Sequence, residues 1–137
     1  MGTVNLQWVK NQLFVASDSN GHSFSVGRSP DAPAQWIGVK PSDLLLLSVA
    51  ACSSWDVVEI MGKQRQPLRD LQVRCNGEQM SEPPYTFTKI HIVYTAYGPV
   101  DPERLEKAIH LSEDKYCSVI STLRLGVPVT SEFEICP

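Results

Sequence analysis

Along the first quarter of the chain, apolar side chains come in short clusters separated by turn residues. Leu6 and Trp8 lie on one side of Asn11-Gln12 and the Leu13-Phe-Val15 cluster on the other, with Asn11-Gln12 fitting a turn. Ser17-Asp-Ser-Asn-Gly21 is a stronger turn signal, and Ser23-Phe-Ser-Val26 alternates polar with apolar as a half-buried strand does. Val4 to Val26 therefore predicts strands, closed by a loop at Ser29-Pro-Asp-Ala-Pro33. The period then changes. Pro41 suits the first position of a helix, Ser42 and Asp43 suit its first turn, and Gly62 supplies a stop, which predicts a long helix over about 41–62. Its first half, Leu44 to Cys52, is apolar nearly all round, the pattern of a helix buried on most sides. In its second half Asp56, Glu59 and Lys63 share the helical stripe of Cys52. A helix end emerging into solvent and a functional face fit that stripe equally well.

Leu68 to Met80 and Tyr85 to Tyr97 are two strand-like runs joined by Ser81-Glu-Pro-Pro84, and the strict alternation of the second predicts an antiparallel hairpin. Asp101-Pro102 opens a helix whose apolar stripe is Leu105, Ala108, Ile109 and Leu111. Ser112-Glu-Asp-Lys reads as a fresh cap for a second short helix holding Tyr116, Cys117, Val119, Ile120 and Leu123. After Gly126, Val127 to Ile135 reads as a final strand. The order predicts an α+β fold in a single domain over 1–137, with a strand region at 1–35, the central helix, and strands and helices over 68–135.

Composition narrows the function classes. Twelve Lys+Arg against fifteen Asp+Glu leave a net charge of −3, and no basic block stands out, so a nucleic-acid partner is not expected. The longest apolar run stops at Cys52, short of the ~20 residues that span a bilayer, and the N-terminus lacks the pattern of a secretory signal. The expectation is a cytoplasmic protein with no membrane partner and reduced thiols. Cys52, Cys75, Cys117 and Cys136 form no C-x-x-C, and His22, His91 and His110 are scattered, so neither a metal nor a cofactor is expected. No G-x-S-x-G or glycine-rich phosphate loop is present.

The thiols remain. A cysteine among Leu and Ala is ordinarily buried filler. Two cysteines brought together by the fold are instead an apparatus for reversible oxidation, and the residues alone leave both readings open. Cys52 lies about three turns inside its helix, beyond the reach of the helix dipole, whereas Cys117 stands near a helix start beside Lys115. On local grounds Cys117 is expected to be the more acidic thiol.

Pro41-Ser-Asp-Leu-Leu-Leu-Leu-Ser-Val-Ala-Ala-Cys-Ser-Ser-Trp-Asp-Val-Val58, Lys63-Gln-Arg65 and Leu111-Ser-Glu-Asp-Lys-Tyr-Cys-Ser-Val119 together resemble the OsmC/Ohr family of osmotically inducible and organic-hydroperoxide-resistance proteins, and within it the YhfA-like branch. The resemblance runs over roughly residues 36–135. It implies antiparallel sheets around a long buried central helix, in an intertwined homodimer with its sites at the subunit interface. It also implies that Cys52 attacks a small apolar hydroperoxide and Cys117 resolves the product as a disulfide, which a thiol reductant then reopens. Leu44 to Leu47, Trp36, Trp55 and Tyr116 are candidate apolar walls. Two features depart from the peroxidase pattern. Ser42, with Asp43 beside it, occupies the position of the family glutamate, and Arg28, the only arginine before Arg65, lies outside the family context. Lys63 and Arg65 are the substitute cations. A non-enzymatic binding protein, or a thiol redox sensor without peroxide turnover, is the alternative function.

Overall fold

In the computed structural model, which describes residues 2–137, three short strands lead into the long helix. These are β1 (Asn5–Lys10), β2 (Leu13–Ser17) and β3 (Ser23–Gly27), paired antiparallel in the order β1-β2-β3. Asn11 takes a positive φ of 50° in the first turn, a conformation that asparagine tolerates better than most residues. At Gly27 a side chain is excluded: φ is +111°, and a Cβ would stand 1.9 Å from the Gln12 carbonyl oxygen.

Helix α1 runs from Pro41 to Lys63. It passes Gly62 and stops where Arg65 adopts a left-handed φ of 54°. There the Gln66 N–H bonds the Met61 carbonyl at 3.0 Å and the Arg65 N–H bonds the Gly62 carbonyl at 3.0 Å. That pair of bonds is the Schellman arrangement, here with arginine in the position usually held by glycine. The chain divides into two compact units at this helix, one ending at Leu45 and one spanning Leu46 to Pro137.

The second unit holds β4 (Asp70–Gln79) and β5 (Phe87–Tyr97), an antiparallel hairpin as its alternation predicts. Helix α2 (Pro102–Leu111) follows, with the Asp101 carboxylate accepting the Glu103 N–H at 2.9 Å as its cap. The helix does not restart at Ser112. It widens into a π-helical turn, Ser112–Tyr116, breaks at Cys117, and resumes as α3 (Ser118–Leu123). Cys117 is the residue that caps α3, so the capping role expected of Ser112 belongs five residues later. Strand β6 (Val129–Cys136) then pairs parallel to β5. The second sheet, ordered β4-β5-β6, is therefore mixed rather than wholly antiparallel. The reason is the connection: α2, the π turn and α3 carry the chain back to the start of β5, as a parallel crossover requires.

The core of this unit is formed by alternate residues of β5 (Ile90, Ile92, Tyr94 and Ala96), by Leu105, Ala108 and Ile109 of α2, and by Ile120. Helix α1 contributes Val49, Ser53, Val57 and Met61, one stripe at four-residue spacing. The rest of α1 differs from the expectation of a helix buried on most sides: Leu47 and Val58 are about half exposed, and Trp55 is 76% exposed. An apolar run marks surface that can be buried; it does not supply the neighbour. The helix also exceeds the apolar run that ends at Cys52. Through Trp55, Val57, Val58, Ile60 and Met61 it is long and apolar enough, by length and composition alone, to cross a bilayer.

Candidate functional site

Two elements of the second unit bring the thiols together. Cys52 lies on α1, half-buried, immediately before the buried Ser53. Cys117 is wholly buried in the break between the π turn and α3. The break is held from both sides: the Cys117 N–H donates to the Ser112 carbonyl at 2.7 Å, and the Cys117 sulfur accepts the Ile120 N–H at 3.4 Å. Cys52 is near enough to Cys117 to raise the pKa of its thiol, and all four cysteines are free.

The electrostatics of Cys117 reverse the expectation drawn from its local sequence. Burial pushes its thiol up to about 11, and the neighbouring Cys52 pushes in the same direction. The N–H groups of Ile120 and Val119 pull it down, but not enough. A short helix start stabilises a thiolate only where water or a cation shares the charge, and here desolvation wins. Cys117 is thus a neutral thiol at pH 7.

Around the pair lies a polar network not anticipated from the sequence. The Tyr94 hydroxyl shares a hydrogen bond with Ser53 Oγ and donates to Glu113 Oε1 at 3.5 Å. Burial raises the Tyr94 phenol far above its ordinary value, so it too stays protonated. Ser112 Oγ donates to Asp56 Oδ2 at 2.9 Å and lies 3.3 Å from both the carbonyl and the hydroxyl of Ser53. Glu113 is almost wholly buried, and Arg124 Nη2 stands 3.4 Å from its carboxylate. Arg124 Nη1 also bonds the Glu113 carbonyl at 3.2 Å and Asp114 Oδ1 at 2.7 Å. One signal for the network was visible in the sequence: Tyr94 falls on the apolar side of the β5 alternation, and a buried tyrosine needs a hydroxyl partner.

The other predicted site residues lie elsewhere. Ser42 and Asp43 stand in the first turn of α1, nearly three turns before Cys52 and in the first unit. Lys63 ends α1 in a 2.8 Å ion pair with Glu59, which raises its pKa. Arg65 serves the backbone as the left-handed residue that terminates the helix. Arg28, also in the first unit, stacks over the Trp36 ring at 4.7 Å. Of the candidate walls, Trp55 and Tyr116 are exposed, and Lys115 lies 5.4 Å from the Tyr116 ring centre. Leu44 lines an apolar cavity of about 450 Å³ in the first unit together with Val4, Leu6, Phe14 and Phe24. Cys75 on β4 and Cys136 at the end of β6 sit on the second sheet, five strand positions out of register through β5. Among the described residues, no three His, Cys, Asp or Glu side chains converge as a metal site.

Comparison with known proteins accounts for this arrangement. The family model described as OsmC-like protein matches residues 32–132. Protein YhfA of Escherichia coli (strain K12) is 32% identical over 133 residues, covering 95% of each chain. A hypothetical protein from Aquifex aeolicus VF5 superposes with a TM-score of 0.84 at 29% identity, over 100% of this chain and 98% of that one. The organic hydroperoxide resistance protein OhrB of Bacillus subtilis shares the fold, with a TM-score of 0.67 at 18% identity over 98% of both chains. The α+β architecture, the thiol-bearing segments and the match across most of the sequence lead to one conclusion: the chain belongs to the OsmC-like protein family and is similar to its YhfA members.

Proposed function

We propose that the protein reduces organic hydroperoxides with the Cys52–Cys117 pair at the expense of a thiol donor. The observation that carries this reading is that the fold brings the two thiols, 65 residues apart in sequence, near enough for Cys52 to perturb Cys117. Likeness to an organic hydroperoxide resistance protein supports a redox role of this kind. In the first step the Cys52 thiolate attacks the outer peroxide oxygen. The O–O bond breaks, Cys52 becomes a sulfenic acid, and the alkoxide leaves as an alcohol after taking a proton. In the second step the neutral Cys117 thiol condenses with the sulfenic acid, forming the S–S bond and releasing water. Two equivalents of an external thiol, or one dithiol, then restore both cysteines and are themselves oxidised to a disulfide. Cys117 suits the resolving role because it is sheltered and already close, and its proton leaves with the sulfenic hydroxyl as water.

The working unit in this reading is a cytoplasmic homodimer. The exposed apolar side chains of α1 (Leu47, Trp55 and Val58) and of the first sheet (Leu6, Trp8 and Phe24) support it, because side chains of this size gain roughly 2 kcal/mol each on leaving water. A second copy also provides the apolar walls that favour an alkyl hydroperoxide, and Lys63 or Arg65 of that copy is the cation beside Cys52. A thiol redox sensor is the second reading. It is favoured by the ion pairs that already engage Arg124 with Glu113 and Asp114, and Lys63 with Glu59. Steady-state consumption of cumene hydroperoxide and of hydrogen peroxide, each with dithiothreitol, separates the two. Turnover that prefers the organic peroxide supports the peroxidase; oxidation that stops after one equivalent supports the sensor. Sedimentation velocity of the same sample reads the dimer.

A further inference from the structure

The buried network beside the thiols has no part in the bond changes just described, yet it ties together the two segments that carry them. Ser53 follows Cys52 directly on α1, while Ser112 and Glu113 precede Cys117 by five and four residues on the π turn. Tyr94 reaches in from β5 and bridges the two, one bond to Ser53 and one to Glu113. Ser112 makes a second tie to Ser53 and to Asp56, a full turn further along α1. Arg124, beyond Cys117, returns to Glu113 and closes the loop around the resolving cysteine.

Resting on the thiol-pair reading, we propose that Tyr94 is the positioning residue for disulfide formation: its hydroxyl locks the turn of α1 bearing Cys52 against the π turn that leads into Cys117. Disulfide geometry is narrow, with Cβ atoms needed within about 4.5 Å and a fixed torsion, so small excursions of either segment remove the pair from productive range. A phenylalanine at position 94 would fill nearly the same volume without needing polar partners. Retaining a hydroxyl there requires Ser53 and Glu113 to satisfy it, and what those bonds add is a fixed relation between two segments. The π turn is the element that needs fixing, because its widened backbone lacks the regular bonding of the α-helix on its N-terminal side.

The test is the equilibrium between the two thiols and glutathione disulfide, which yields the protein disulfide and two reduced glutathiones. Mass spectrometry of alkylated samples measures the Cys52–Cys117 disulfide across a series of glutathione ratios. Tyr94→Phe is expected to lower the equilibrium constant about tenfold, through loss of the hydroxyl's bonds to Ser53 and Glu113. Ser53→Ala is expected to do the same, and carries the test if Tyr94→Phe fails to fold. Sulfenic acid formation at Cys52, trapped with dimedone after one equivalent of cumene hydroperoxide, is expected to stay near the wild-type rate, because attack does not need Cys117 in place. A wild-type equilibrium constant in the folded variants overturns the proposal while leaving the thiol pair intact. An equal loss in sulfenic acid trapping overturns it as well, since that marks general damage. If the wild-type protein forms no Cys52–Cys117 disulfide in glutathione, the thiol-pair reading itself fails.

Discussion

Cys117 and Cys75 are both thiols driven upward by burial, in the same unit of one small protein. For Cys75, on a strand of the second sheet, burial is the whole cause of the shift. For Cys117, a second thiol adds to it: the neighbouring Cys52 raises its pKa further, and a network of Ser53, Tyr94, Ser112, Glu113 and Arg124 lies close by. Burial by itself makes a thiol inert. Burial next to another thiol makes, in the proposed reading, a group placed to resolve its oxidised partner. On that reading the surroundings of a cysteine, more than its depth, separate packing from chemistry.

Substitutions break this contrast in order of size. Cys52→Ser is expected to reduce hydroperoxide turnover to the rate of the donor thiol alone, since serine cannot form a sulfenic acid; a coupled peroxide assay checks this. Cys117→Ser should retain the first oxidation but slow turnover roughly tenfold or more, because an external thiol must replace one already in place. Intact-mass spectra should then show Cys52 advancing to sulfinic acid under excess peroxide.

Smaller effects follow from protonation and packing. The folded protein holds the Cys117 proton up to about pH 11, whereas the ordinary thiol releases it near 9.0. The stabilisation from this buried neutral thiol is complete below pH 9 and is lost as the pH rises towards 11, on the order of 2 kcal/mol in all. Thermal melts from pH 8 to 10.5 should show the midpoint falling, less steeply in Cys117→Ser. Cys75 carries a shift of the same sign and adds a smaller slope. Cys75→Ala should leave turnover within about twofold and cost roughly 1 kcal/mol of stability by chemical denaturation, as a half-buried side chain does.

Much of the architecture was legible from periodicity. The hairpin of β4 and β5, the cap at Asp101 and the start of α1 at Pro41 each follow from signals within a few residues of where they act. Features depending on distant neighbours were not. The apolar run of α1 predicts burial on most sides, but in the second unit only the stripe of Val49, Ser53, Val57 and Met61 is covered. The break at Cys117 was hidden because a π turn has no sequence pattern distinct from a helix. The acidity expected of Cys117 came from a local rule, and desolvation by residues far along the chain overrode it. Tyr94 joins Ser53, 41 residues away, and Glu113, 19 residues away, so only the folded chain displays that link.

Rapid-quench peptide mapping tests the central claim most directly. Reduced protein is mixed with one equivalent of cumene hydroperoxide, quenched with an alkylating agent, and digested. The account predicts a Cys52–Cys117 disulfide forming ahead of any change at Cys75 or Cys136, and absent in Cys52→Ser. Slow oxidation of all four thiols at similar rates would contradict it.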